Sequence, residues 1–205
     1  MSTCGEKPGI QQGGRAGCSC SSGRWVRSHA AKLGIDPQRI AAGGGSAGGH
    51  LAAATALVPN FDEASEDRSI SSAPNALALF NPAVILAPAD DLPMSVNDRV
   101  QRINDMMSGK AKDISPFHFI RKDLPPSIVF HGTEDEAVPF VTVERFAQAM
   151  RAAGNRCELV PFEHESHGFF NPGRSKGADK NANYKQTLKL MDEFFVSLGY
   201  LAVRN

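Results

Sequence analysis

In the segment Gly44-Gly45-Ser46-Ala47-Gly48, a serine stands among glycines between a short apolar run and an apolar, helix-like stretch. A serine hydroxyl is a weak nucleophile until it is thrust clear of the backbone beside a base. The sharp turn that does this needs neighbours without side chains. A G-x-S-x-G pattern between a strand and a helix is the context in which such a turn forms. The same turn brings the backbone N–H of Ala47 to a helix N-terminus, where it can donate to a developing oxyanion. The chemistry implied is acyl transfer through Ser46, and it requires a base and an orienting carboxylate from elsewhere in the chain.

Two downstream segments offer them. His131-Gly-Thr-Glu-Asp135-Glu-Ala-Val-Pro139 follows an apolar run at 127–131, and His164-Glu-Ser-His167-Gly-Phe-Phe-Asn171 follows another at 158–162. Glu134, Asp135 and Glu136 are all candidate acids, and spacing does not choose among them, although the two glutamates read as solvated loop residues. His164 and His167 compete as the base. His164 ends a strand, whereas His167 precedes a glycine in a loop and is free to turn toward the serine, which favours His167.

The elements that must position these residues alternate. Val26, Ala30 and Leu33 recur at helical spacing, with Ser21 or Ser22 as a cap and Gly34 and Pro37 as the stop. Ile40-Ala41-Ala42 reads as a strand leading into the glycines, and 50–57 as a helix apolar on nearly every side. Further strands are expected at 76–80, ended by Asn81-Pro82, at 127–131 and at 158–162. A helix carrying Val143, Phe146, Ala147 and Met150 separates the last two, and a final helix shows Tyr184, Leu188, Met191, Phe195 and Leu198 on one face, closed by Gly199. Strands alternating with helices predict a mostly parallel α/β sheet, so the three chemical loops leave the carboxyl ends of neighbouring strands and meet at one edge. The proline- and aspartate-rich excursion at 88–124, with a helix through Val96, Val100, Ile103 and Met106, is either a cover over a site or a surface insertion.

Composition narrows the function classes. Lysine plus arginine and aspartate plus glutamate are each 22, with no basic stripe, which gives no electrostatic case for nucleic acid or an anionic membrane. Small neutral substrates fit better. No stretch has the apolar length of a membrane span, and the first residues lack the apolar core of a signal peptide, so the default expectation is a soluble, cytoplasmic protein. Cys4, Cys18, Cys20 and Cys157 lack the spacing of a disulfide framework, and Cys18-x-Cys20 without a second pair is no zinc site. At 205 residues the chain suits one domain. Residues 1–23 hold almost no large apolar side chain and are expected to be a disordered leader, with the globular domain at 24–205.

Together, Gly43-Gly44-Gly45-Ser46-Ala47-Gly48-Gly49-His50-Leu51-Ala52, His131-Gly132-Thr133-x-Asp135-x-x-Val138-Pro139 and Ser166-His167-Gly168-Phe169-Phe170-Asn171 resemble the hormone-sensitive-lipase and acetyl-esterase branch of the α/β-hydrolases, including bacterial carbohydrate-esterase-like members. The resemblance runs over roughly residues 24–200. It implies an α/β-hydrolase fold and hydrolysis of small carboxylic esters, acetyl or other short acyl groups, with sugar esters among the substrates. It also implies Ser46 as nucleophile, Asp135 as acid and His167 as base, with no metal or organic cofactor. His50, His118 and His131 match no catalytic position and read as structural.

The sequence departs from that family pattern in one respect. Complete members carry further strands and a His-Gly-Gly loop before the nucleophile, the latter supplying the rest of the oxyanion hole. Only 45 residues precede Ser46, and no His-Gly-Gly is among them. The expectation is a truncated or rearranged hydrolase, its N-terminal strands missing and the Ile40 strand left as an open sheet edge. Two rival readings follow. One is a prolyl-oligopeptidase-like serine peptidase, against which the short chain without a propeller argues. The other is a catalytically impaired relic.

Overall fold

The computed structural model describes residues 13–59, 62 and 65–203. Four strands, β1 (Ala41–Gly45), β2 (Ala76–Phe80), β3 (Ser127–Gly132) and β4 (Cys157–Phe162), form one parallel sheet in chain order. Ala41 pairs with Ala76, Leu77 with Ser127, and Ser127 with Cys157. Parallel neighbours need long crossovers, and helices supply them: α3 (Ala47–Leu57) after β1, α4 (Met94–Met106) after β2, and α5 (Phe140–Ala152) after β3. The last helix, α6 (Ala182–Ser197), follows β4.

The two sheet faces bury different partners, as the period of two along a strand requires. Leu77, Leu79 and Val129 point into a core built with Ala53 and Leu57 of α3, Val96 of α4, and Val143, Phe146 and Met150 of α5. Ala76, Ala78, Ile128 and Phe130 face the other way, onto Phe162, Phe169 and Phe194, with Leu190 and Met191 of α6 beside them. Cys157 is buried in the first core, and burial pushes its thiol up to about 12, which leaves it unreactive.

The opening helices differ from expectation. Helix α1 (Gly13–Ser28) begins well before Ser21 and Ser22, and a break at His29 separates it from the single turn α2 (Ala30–Leu33), which Gly34 closes at φ 67°. The expected leader at 1–23 therefore meets the structure only at 13–23, and these residues form the first part of α1; 1–12 lie outside the described residues. Extending an existing helix costs little per residue compared with starting one, so weak helix formers follow the anchored turn at Trp25. That anchor is polar. Arg24 binds Asp62, Glu66 and the Ile70 carbonyl, and Arg27 reaches the Ser71 and Ala73 carbonyls and Asn75.

Strand β1 also runs later than read, because the glycines taken for the turn belong to the strand. Glycine has no intrinsic preference for sheet. Here it is held by full pairing with β2, and β1 lies at one edge of the described sheet, with Ala41 and Gly43 exposed.

The excursion at 88–124 is neither a loose insertion nor a detached cover. Leu92, Val96 and Leu124 are core residues, while Arg99 of α4 donates to the carbonyls of Glu136 and Ala137 in the loop after β3.

Candidate active site

Ser46 sits between β1 and α3 with φ 55° and ψ −118°, a strained conformation for a residue with a side chain. Two backbone bonds hold it: its N–H donates to the Phe80 carbonyl at 2.8 Å, and its carbonyl accepts from His50 N–H at 3.0 Å. The turn closes so tightly that a Cβ on Gly44 would lie 2.6 Å from the Gly48 carbonyl carbon. Ala47, exposed at the first position of α3, has a backbone N–H that the helix itself leaves without a partner.

Burial and bonding separate the acids that spacing left equal. Glu134 and Glu136 are exposed, whereas Asp135 is buried. Its Oδ1 accepts the N–H groups of Ala137 and Val138, each at 2.8 Å. Its Oδ2 accepts from Asn81 Nδ2 and from His167 Nδ1, both at 2.7 Å. A carboxylate satisfied by donors on both oxygens is fixed in rotation. Because that carboxylate accepts the Nδ1 proton of His167, Nε2 is the ring atom left free to take a proton.

The histidines divide in the same way. His167 is half-buried and bonded to Asp135; His164, at φ 60°, is exposed and pairs at 2.9 Å with Glu134, which Lys176 also contacts. The His164 bond, with Lys176 adding to it, holds the Glu134 carboxyl below its usual range. Burial lowers His50 and His118, which bond to the carbonyls of Ala83 and Pro88.

His131 is read in the sequence as structural, and it lies closer to the site than that suggests. It is fully buried, donates from Nε2 to the Val138 carbonyl at 2.9 Å, and places Nε2 3.4 Å from Asp135 Oδ2. Burial lowers its basicity, and the nearby His167 adds to that. Sequence reasoning passed over Asn81, taking it as a strand stop. It is fully buried, yet stands where Ser46 and Asp135 stand, just past the carboxyl end of a parallel strand. A polar residue at that position was the available signal.

Among the described residues, no cluster of histidine, cysteine, aspartate and glutamate could hold a metal ion, and no helix is long and apolar enough to cross a membrane.

This architecture has known counterparts. Esterase 2 of Thermogutta terrifontis in its apo form is 50% identical, with a TM-score of 0.81 over 92% of this chain and 66% of its own; it has also been solved with propionate bound, with butyrate bound and phosphonylated by sarin. A probable carboxylic ester hydrolase of Mycobacterium tuberculosis, LipM, is 32% identical over 165 residues, which are 74% of this chain and 37% of LipM. An acetylxylan esterase of Xylanibacter ruminicola is 29% identical over 71% of this chain and 29% of its own length. The chain thus spans about a third of these two curated relatives and about two thirds of the Thermogutta enzyme. Its residues 115–198 match the dienelactone hydrolase family, and residues 20–150, the greater part of the chain, match BD-FAE: the chain belongs to the BD-FAE family and has the α/β-hydrolase fold.

Proposed function

We propose that the chain carries the site of a serine carboxylic-ester hydrolase acting on small esters with short acyl groups. The observation that carries the reading is the Asp135–His167 hydrogen bond at 2.7 Å, formed at the same sheet edge as the strained turn that presents Ser46. Ser46 is the nucleophile, His167 the base, Asp135 the acid that orients it, and the Ala47 N–H an oxyanion donor.

In the first half of the reaction, His167 Nε2 takes the Ser46 hydroxyl proton as Oγ adds to the ester carbonyl. The imidazolium then returns that proton to the departing alcohol, leaving an acyl-enzyme. In the second half the same nitrogen takes a proton from water, the hydroxide adds to the acyl carbon, and the acid leaves as Oγ recovers its proton. Asp135 accepts the hydrogen bond of Nδ1–H throughout and stabilises the transient imidazolium. The negative charge on the tetrahedral oxygen develops at the start of α3, where the Ala47 N–H and the helix dipole favour it.

Short acyl groups are supported by the propionate and butyrate complexes of the Thermogutta esterase, and an acetyl ester by the acetylxylan esterase relative. The test is hydrolysis of p-nitrophenyl acetate, propionate, butyrate and octanoate, beside a Ser46→Ala control and fluorophosphonate labelling. Turnover that falls with chain length and disappears in the control supports the reading. Turnover equal to the control, with no labelling of Ser46, refutes it.

A further inference from the structure

We propose that Asn81 is a positioning residue of this site: its side-chain amide joins the loop that carries Asp135 to the loop that carries His167 and fixes the two side chains relative to each other. The proposal rests on the reading of Asp135 and His167 as acid and base, and its test separates the two.

Asn81 has no access to solvent, and its backbone N–H, Nδ2 and Oδ1 each meet a different part of the site. Its backbone N–H donates to the Phe130 carbonyl at 2.9 Å, which seats it against β3. Nδ2 donates to Asp135 Oδ2 at 2.7 Å. Oδ1 accepts the backbone N–H of Gly168, the residue after His167, at 3.2 Å. One planar amide therefore spans both loops. Asp135 Oδ2 has two lone pairs; Asn81 occupies one and His167 the other, so the carboxylate presents a single direction to the imidazole. Asn81 is set in place by a left-handed backbone, φ 44°, which asparagine tolerates better than most residues.

The other groups near this amide do not substitute for it. His131 approaches Asp135 Oδ2 to 3.4 Å from β3, but its Nε2–H is engaged by the Val138 carbonyl. The backbone donors of Ala137 and Val138 hold the other carboxylate oxygen. The pair formed by Glu134 and His164, with Lys176, is exposed and also links the two loops, but by flexible side chains in water. Without Asn81 the carboxylate keeps its anchoring at Oδ1 and loses its orientation at Oδ2, and the Gly168 N–H loses its acceptor.

Three variants test this. Asn81→Gly accepts the left-handed backbone and deletes the amide; Asn81→Ala deletes the amide and adds backbone strain; Asn81→Asp keeps the shape and the Gly168 acceptor but sets a second carboxyl against Asp135 in place of the amide donor. The first readout is the low-field proton resonance of the His167 Nδ1–H to Asp135 bond, which needs no turnover. The second is kcat and KM with p-nitrophenyl acetate, beside the thermal melt. A positioning role predicts that the resonance shifts or broadens in all three. It also predicts that kcat falls about 10- to 100-fold with KM nearly unchanged, as expected when a base is misplaced by about 1 Å. Asn81→Gly and Asn81→Ala should lose equal kcat although their melting temperatures differ. A merely structural asparagine predicts instead that loss tracks the melt. Wild-type resonance and kcat in a folded Asn81→Gly, or in Asn81→Ala should the glycine variant not fold, overturn the proposal. Should the wild-type chain show no turnover, the resonance alone decides the role of Asn81, and the esterase reading fails separately.

Discussion

Gly45 faces the tip of the Phe170 ring: a Cβ on Gly45 would collide with the ring's Cζ. Gly45 is the variable position of the G-x-S-x-G pattern, so the motif does not require glycine there. The requirement comes from three residues past His167, where Phe170 tilts against Phe80 with ring centroids 4.9 Å apart. Gly45→Ala is expected to displace Phe170, with an overpacking cost of about 1–3 kcal/mol. Urea unfolding checks the stability, and fluorophosphonate labelling reports whether the displaced ring disturbs His167. A midpoint equal to wild type would show that the ring moves freely.

The two motif glycines are expected to behave oppositely. A Cβ on Gly44 meets the Gly48 backbone, whereas a Cβ on Gly48 meets nothing within 4 Å among the described residues. Gly44→Ala should therefore open the turn at Ser46 and abolish labelling. Gly48→Ala, in the first turns of α3, should fold with a gain of up to about 1 kcal/mol from helix propensity. Melting curves of the two variants, run side by side, decide between this asymmetry and a motif in which both glycines are equally required.

Arg99 ties α4 to the acid loop, donating to the carbonyls of Glu136 at 2.6 Å and Ala137 at 2.7 Å. Arg99→Met keeps most of the stem and removes both bonds. The expected loss is about 0.5–1.5 kcal/mol of stability, with a fall in kcat smaller than that of Asn81→Gly, because the arginine grips carbonyls while the N–H of Ala137 still binds Asp135. A larger kcat loss than the asparagine variant would reverse this ranking.

Stability should fall on mild acidification. Burial lowers His50, His118 and His131 from the ordinary value of 6.5, so each is held neutral in the fold. As pH drops through 6.5 the unfolded chain takes up protons that the folded chain refuses, and unfolding is favoured. The urea midpoint should be flat above about pH 7.5 and decline between about pH 6.5 and 5, within the range where unperturbed histidines titrate. A midpoint constant across that range would mean the three histidines are hydrated.

Much of this fold was legible because its strands are short apolar runs bounded by proline and glycine. The readings at 76–80, 127–131 and 158–162 agree with β2, β3 and β4 within one residue. Strand β1 was harder to read, since Ala41–Gly45 contains no residue that prefers sheet and is strand by virtue of its pairing with β2. The start of α1 at Gly13 carries no periodicity, so pattern offered nothing there. At the site, residue types and order pointed to Ser46, Asp135 and His167, while the choice of Asp135 over its two neighbours rested on family resemblance. In the structure Asp135 differs from Glu134 and Glu136 in its burial and its four donors. Asn81 was hidden because an Asn-Pro pair after a strand reads as a stop, and its second role depends on contacts 54 and 87 positions away.

The chain-order arrangement of the sheet sets when the site can exist. Each strand lies beside the one before it, and Ser46 follows β1, Asn81 follows β2, Asp135 follows β3 and His167 follows β4, so the site is complete only when all four are paired. Every pairing is parallel and spans a long crossover, which makes the assembly slow relative to local structure. On the roles proposed above, a refolding intermediate without β4 in place would present Ser46 with no base beside it, and would be inert toward esters and toward phosphonylating reagents. Return of Ser46 reactivity during refolding is therefore a clock for the last strand, running later than the recovery of helix.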